Sequence, residues 1–399
     1  MIDPAASHLA NAPALILGGG IAGLASALAL AQQGIASHIL EKRTSYSEEG
    51  AGIQIGPNGT RILQQLGVAE RLQPLVGTPE ALSVRDGRSG AQLALLPLGD
   101  WIAQRHGAPY WTAHRHDIHT ALLTAAQADP RITITLGDTA ASITPNDTGV
   151  SVATTGGRSA NGFTLIAADG IGSTVRTSLF DGAQPTPYGK SAARSVIPMD
   201  AAPEPLRRQI VTIWLLPDAH VVHYPVSGGR ELAMVVVLND THLSESWNQP
   251  VAAGEIKQAL RTSASMLREL IKPVHDWKRW TLRTLPVPAQ LSIGNIALAG
   301  DAAHPMLPFF AQGGVMALED AAVLAATLGS RQGPTGKLLA DYASSRRARV
   351  ARVVAASQRN GRIYHLGGAA ALARNAVLRI SRPQHLMRQY DWLYGWRAA

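Results

Sequence analysis

The chain has no cysteine. This excludes disulfide bonds, zinc–thiolate and iron–sulfur centres, and any thiol nucleophile. The leading segment MIDPAASHLANAP lacks the basic start and apolar core of a secretory signal, so the expectation is a cytoplasmic protein. Internal repeats, low-complexity tracts and flexible linkers are missing as well. One uncharged stretch, Pro13 to Ala31, is long enough to raise the question of a membrane span. Gly18, Gly19, Gly20 and Gly23 interrupt it, and a strand–turn–helix unit explains it better. Charged residues make up 16% of the 399 positions against 46% hydrophobic, the balance of a globular chain with one large or two ordinary domains.

The net charge of +8 is uneven. From Arg331 to the end there are 13 Arg and Lys against two Asp, a local +11, which leaves the rest near −3. Nucleic acid or an acidic membrane surface could answer such a tail. A solvated helix face explains it more simply, because RRARVARVVAASQRNGR sets Val350, Val353 and Val354 on one stripe among arginines. The expectation is no nucleic-acid partner and no integral membrane, in a monomer or homodimer. No metal site is read.

The first unit reads as strand Ala14–Leu17, the turn Gly18-x-Gly20-x-x-Gly23, a helix from Ile21 to Gln33 stopped by Gly34, and a strand Ser37–Leu40 that ends at Glu41. Gly18 permits the tight turn, Gly20 lets the backbone approach a pyrophosphate, and Gly23 lets helix and strand pack closely. The helix start offers free N–H groups and a positive dipole end to phosphate. Glu41, 18 residues after Gly23, is placed to accept from ribose hydroxyls.

Four later segments repeat the α/β texture. Gly50–Val68 reads as a short strand, a Pro-Asn turn and a helix carrying Arg61, which is read as solvated. His114–Ala126 reads as a helix start with Arg115 just ahead of it. Phe163–Arg176 (FTLIAADGIGSTVR) is an apolar strand ending in Asp169-Gly170. GDAAHPMLPFFAQGG follows a further apolar strand and begins at Gly300-Asp301. Two strands thus each bring an Asp to the carboxyl end of a sheet, where α/β folds bind ligands. Between Pro185 and Pro286 the runs become short and β-rich, as in a second, antiparallel domain. From about Asp341 the chain is helical again.

In this order the motifs resemble the group A (class A) FAD-dependent aromatic hydroxylases, of the salicylate hydroxylase and 3-hydroxybenzoate 6-hydroxylase type. The resemblance covers nearly the whole chain and includes the closing YDWLYGW, Tyr390–Trp396. It implies an α/β fold of mixed α+β character: a Rossmann-like FAD-binding domain of the hydroxybenzoate hydroxylase type, an inserted antiparallel β-sheet substrate domain, and C-terminal helices. The implied boundaries are 1–75, 105–185 and 286–340 for the FAD-binding part, 76–104 and 186–285 for the substrate part, and 341–399 for the helical segment.

The resemblance also implies roles. Gly18, Gly20, Ala22 and Gly23 would form the FAD phosphate turn, with Glu41 and Lys42 at the adenosine ribose. Arg115 would bind the FAD backbone. Asp169 and Gly170 would serve both FAD and NAD(P)H. Asp301 would hold the ribityl chain, while Pro305 and the Gln312-Gly313-Gly314 backbone would lie along the isoalloxazine ring. FAD would be bound tightly and non-covalently, with NADH or NADPH as transient co-substrate and O2 as oxidant. The implied reaction hydroxylates a small phenolic or hydroxy-heteroaromatic carboxylate of the 3-hydroxybenzoate, salicylate or 6-hydroxynicotinate type, through a flavin C4a-hydroperoxide. A polycyclic or non-aromatic substrate is the alternative, and a non-enzymatic flavin-binding regulator a more distant one.

For catalysis, the strand HVVHYPV puts His220, Val222 and Tyr224 on one face and Val221, His223 and Pro225 on the other. The family's His-x-x-x-Tyr spacing selects His220 and Tyr224. His304, before a proline, reads first as a turn cap. Arg194 is a candidate carboxylate clamp. The sequence departs from the family at Pro308 and Phe309, where relatives often carry a polar residue.

Overall fold

The computed structural model of the chain describes residues 12–46, 52–146, 149–180, 182–240 and 248–398. Residues 1–11, and Gly50 and Ala51 of the Gly50–Val68 stretch, lie outside them. The uncharged run after Pro13 divides where its glycines fall, into strand Ala14–Leu17 and helix Ile21–Gln32. Among the described residues no helix is long and apolar enough to cross a membrane.

That strand is the centre of a six-stranded sheet. The order is Ser292–Ile293, Ile296–Leu298, Thr164–Ala167, Ala14–Leu17, Ser37–Glu41, Ile132–Leu136. All neighbours run parallel except the first pair. Its strands are apolar on both sides because both faces are covered. Ala14, Ile16 and Ile166 pack with helices Ile21–Gln32 and Gly313–Gly329. Leu15, Leu17 and Leu165 pack with Val150 and Val152 of a three-stranded antiparallel sheet, residues 140–162. That small sheet was not anticipated, for its strands are short and largely exposed.

The second sheet has eight strands, in the order Gln249–Val251, Trp277–Thr284, Thr186–Pro198, Glu231–Asn239, Ala219–Val226, Ile210–Leu215, Ala81–Asp86, Gln92–Pro97. It is antiparallel, as the β-rich runs predicted, with one exception: Ile210–Leu215 pairs parallel to Ala81–Asp86. Those two strands are far apart in sequence, so no hairpin forces them antiparallel. One face of this sheet packs on two short helices, Ala253–Ala259 and Ser265–Ile271, through Trp214, Val221, Met234 and Val236. The opposite face, carrying Ala192 and Val237, meets Leu307 and Phe309 of the proline loop.

The C-terminal helix begins earlier than expected and spans Thr335–Tyr364. Val350 and Val353 are fully buried, as the stripe predicted, but the arginines around them are not simply solvated. Arg346 is only 1% exposed, and Arg346, Arg349 and Arg352 lie over the rings of Trp392 and Trp396. These stacked guanidinium–indole pairs hold the closing YDWLYGW segment against the helix.

Candidate cofactor and substrate site

Strand register sets the first half of the site. Leu17 pairs with Leu40 on one side and Ala167 on the other, and Ala167 pairs with Leu298. The chain leaves these four parallel strands at Glu41, at the Gly18 turn, at Asp169 and at Gly300-Asp301. Four segments therefore stand in a row along the carboxyl edge, roughly 14 Å from end to end at about 4.8 Å per strand.

The glycine turn has two kinds of glycine. At Gly18 φ is +101°, and a Cβ would lie 2.5 Å from the Ala168 carbonyl oxygen; at Gly23 a Cβ would lie 1.9 Å from the Gly18 oxygen. Both are required by the protein's own packing. A Cβ on Gly20 would meet no atom within 4 Å, and Gly170, at φ +83°, also faces open space. Helix Ile21–Gln32 has no side-chain cap, so its first N–H groups face that space. Glu41 accepts hydrogen bonds from Gly19 N at 2.6 Å and Arg43 N at 2.9 Å, while Lys42 is exposed beside it. Half-buried Arg115 is the first residue of helix Arg115–Ala128, not a residue just ahead of it as expected. His119 on that helix bonds the Gly19 oxygen at 2.8 Å, and Tyr46 packs on its ring. Sequence reasoning missed both, since a lone His or Tyr carries no motif.

The two aspartates differ. Asp169 Oδ2 accepts from Thr174 N at 3.0 Å, as a helix cap would, but its Oδ1 is buried without a hydrogen-bond partner. Asp301, half-exposed in a one-turn 3-10 helix, has no hydrogen-bond partner among the described residues. Open space over glycine, unsatisfied helix N–H groups and carboxylate oxygens awaiting donors suit a dinucleotide bearing phosphates and sugar hydroxyls. Arg176 fastens the two aspartate segments together: fully buried, it donates to the Ala302 oxygen at 2.9 Å and the Ile171 oxygen at 2.6 Å.

Beneath the Gly300–Gly314 segment lies a buried charge network. Asp320 accepts from Gly300 N at 2.8 Å, from His304 Nε2 at 2.6 Å and from Arg346 Nε at 2.7 Å. Burial alone would raise the Asp320 carboxyl, but His304 and Arg346 outweigh it and hold it below its ordinary value. Glu319 takes Arg346, Arg349 and Asn58, and Asn58 also reaches Gln312 Oε1 at 3.1 Å. His304 is thus anchored to a carboxylate rather than capping a turn, and the acids Glu319 and Asp320 fix the segment from below. Pro305 is buried, whereas Pro308 is exposed; Gly314 abuts Ile53. Pro57 and Asn58 are the first helical residues of Pro57–Gln65, not a turn. Arg61 is 8% exposed and bonds the backbone oxygens of Trp396 and His106, contrary to the solvated reading.

The second half of the site lies on the sheet face that meets the proline loop. His220 pairs across to Val237 and on to Ala192; Val222 pairs to Val235 and on to Arg194; Tyr224 pairs to Ala233 and on to Val196. Directly paired residues share a face, so Arg194 occupies the row between those of His220 and Tyr224. Arg194 is 8% exposed, stacks over Trp280 at 4.8 Å and donates to Asn248 Oδ1 at 3.2 Å. Burial raises the Tyr224 hydroxyl above its ordinary value against the opposing pull of Arg194, so it stays a donor. His220 sits edge-on to Phe309 (5.4 Å) and Tyr364 (5.3 Å). Burial, then His365 and Lys190, keep it well below its ordinary value and neutral. His223 points to the opposite face, beside Trp214.

Comparison with known proteins agrees with this architecture. The model of the FAD binding domain family matches residues 11–357. Over 389 residues the chain is 35% identical to a 3-hydroxybenzoate 6-hydroxylase of Polaromonas naphthalenivorans (strain CJ2), covering 97% of this chain and 96% of that one. It is 33% identical over 387 residues to a 3-amino-4-hydroxybenzoate 2-monooxygenase of Streptomyces platensis, covering 96% of each. A salicylate hydroxylase substrate complex superposes with a TM-score of 0.83 at 24% identity, covering 97% of this chain and 96% of that one. The fold and the dinucleotide edge define a flavoprotein of the hydroxylase kind. The chain belongs to the FAD-binding class A aromatic hydroxylase family and is an FAD-dependent aromatic monooxygenase.

Proposed function

We propose that the chain hydroxylates a small phenolic or hydroxy-heteroaromatic carboxylate, of the 3-hydroxybenzoate kind, at the expense of NAD(P)H and O2. The observation that carries this reading is the shared face of His220, Arg194 and Tyr224, a neutral imidazole, a buried cation and a protonated phenol in three adjacent rows. A ring bearing both a hydroxyl and a carboxylate matches that set. The activities named for the two relatives, on 3-hydroxybenzoate and 3-amino-4-hydroxybenzoate, support it.

In this reading His220 accepts the substrate's hydroxyl proton, since a phenolate ring is the better nucleophile. Tyr224 donates to the same substrate and fixes its tilt. Arg194 holds the carboxylate, with Trp280 keeping its guanidinium in plane. Phe309 and Leu307 wall the ring from water. Glu41 and Lys42 would serve the adenosine ribose, Gly18 to Gly23 with Ala22 the pyrophosphate, Arg115 and Asp169-Gly170 the FAD chain, and Asp301 the ribityl hydroxyls. Pro305 and the Gly313-Gly314 backbone would lie along the flavin ring. Bound FAD supplies the transfer of electrons from nicotinamide and the activation of O2.

The test is a panel of 3-hydroxybenzoate, salicylate, 6-hydroxynicotinate and plain benzoate, scored by stimulated NADH oxidation and product identification. A hydroxy-carboxylate should stimulate and be hydroxylated, while benzoate should give peroxide without product. His220→Ala should slow hydroxylation by about 10²–10⁴-fold and lower product formed per NADH, and His223→Ala should change both little. If no hydroxy-carboxylate of the panel is hydroxylated, the substrate reading is wrong.

A further inference from the structure

His220 is not alone. Its Nδ1 lies 2.9 Å from Nε2 of His365, and the two rings are 5.0 Å apart. His365 follows directly on the long C-terminal helix, 145 residues away in sequence, where Gly367 and Gly368 turn the chain. Phe309 braces both imidazoles, edge-on to each, and itself fits against Gly361, where a Cβ would lie 2.4 Å from its ring. The helix also grips the loop that carries Phe309, through Ser357 Oγ to the Leu307 oxygen at 2.6 Å and Asn360 Nδ2 to the Phe309 oxygen at 3.3 Å. The pair is therefore held from two sides and is not a chance surface encounter.

We propose that His365 is a positioning residue for the hydroxylation: it accepts the Nδ1–H of His220 and so keeps the Nε2 lone pair of His220 free for the substrate's hydroxyl proton. An imidazole that makes one defined hydrogen bond is locked in one tautomer, and a base needs the tautomer with its lone pair toward the proton it takes. When substrate O–H gives its proton to Nε2, an imidazolium and a phenolate result, and the Nδ1–H of that imidazolium remains on His365. Both rings begin neutral. Burial, then Lys190, lower His365 to about 4, with Asp218 opposing and Arg374 adding to the effect. Lys190 from strand Thr186–Pro198, Asp218 before strand Ala219–Val226, Tyr364 on the helix and Arg374 on the next helix are the titratable and charged groups around the pair. Lys190 is tied to Asn239, which in turn donates to Asp218 at 3.3 Å.

This inference rests on His220 being the base, and its test separates the two. Holoenzyme labelled with 15N-histidine is examined by long-range proton–nitrogen NMR from pH 5 to 8, with His220→Gln identifying the signals. The wild type should show a neutral His220 protonated at Nδ1. His365→Phe, which keeps a ring against Phe309 but cannot accept, should lose that tautomer. His365→Gln, whose amide oxygen can accept, should retain it, and serves if the Phe variant does not fold. With 3-hydroxybenzoate as probe, His365→Phe should slow hydroxylation roughly 10-fold or more, and His365→Gln should recover most of it. A wild-type His220 protonated at Nε2, or an Nδ1–H that survives His365→Phe, overturns the proposal. Failure of 3-hydroxybenzoate to turn over overturns the substrate reading alone, because the NMR result still decides the tautomer.

Discussion

The carboxyl edge of the six-stranded sheet and the inner face of the eight-stranded sheet deliver side chains by different geometries. At the edge, each strand ends and the next few residues do the chemistry, so Gly18–Gly23, Asp169-Gly170 and Gly300-Asp301 are contiguous motifs. On the face, His220, Tyr224 and Arg194 come from strands that pair through a third, and His365 and Phe309 arrive from a distant helix and loop. An edge site is written locally; a face site is written in register. A one-residue slip would leave the edge motifs intact and would exchange His220 for His223 on the face.

The sharpest way to break the edge is to compare its glycines. Gly23→Val places a side chain onto the Gly18 carbonyl, 1.9 Å away already at Cβ, and should abolish folding. Gly20→Val meets only open space in the protein itself and should give folded protein that lacks FAD. Circular dichroism and flavin content of the purified variants decide it. A Gly20→Val protein with normal flavin would show that the open space is not the pyrophosphate site.

This contrast explains what was legible. The strand–turn–helix unit, both Asp-bearing strand ends and five of the six strands described between Thr186 and Thr284, all but the short Gln249–Val251, were readable, because hydrophobic period and glycine position are local signals. The parity of His220 against His223 was readable for the same reason, since two residues suffice to fix a face. His119, Arg176, Asp320, Arg346 and His365 were not. Each matters through at least one partner more than 15 residues away, and neither period nor spacing encodes a partner. Arg61 and Arg346 were misjudged because an arginine on a helix is ordinarily solvated; here backbone oxygens and buried carboxylates receive them.

A second test asks how far the edge depends on what lies beneath it. Arg346→Met removes the cation between Asp320 and Glu319 and leaves two buried carboxylates, both fully enclosed. Breaking one member of a buried ionic group costs about 3–5 kcal/mol. The urea midpoint should fall accordingly. FAD release on dilution should rise, because Gly300 and His304 lose their fixed carboxylate. His220 and His365 stand apart from this network, so their tautomer should be unmoved. An unchanged midpoint would mean that the network is paired through protonation instead.

The smallest effect tests the face from behind. His223 shares the strand with His220 but lies under Trp214, with neither ring nitrogen hydrogen-bonded. Burial, then Arg85, lower it to about 3. Between that value and its unfolded value near 6.5, the unfolded chain binds a proton that the folded chain refuses. Stability contributed by this residue is therefore complete above about pH 6.5 and is lost as pH falls toward 3. From pH 6.5 to 5 the share of one such residue is at most about 2 kcal/mol. His223→Leu removes it. At pH 7.5 the variant should be as stable as the wild type or slightly more so, since no hydrogen bond is given up. At pH 5 it should be the more stable of the two. Urea midpoints at the two pH values measure this, and equal losses in both proteins would place the acid sensitivity elsewhere. Because the substitution lies on the covered face, product formed per NADH should stay at the wild-type value, the reverse of what His220→Ala does three residues, roughly 10 Å, back along the same strand and on its other face.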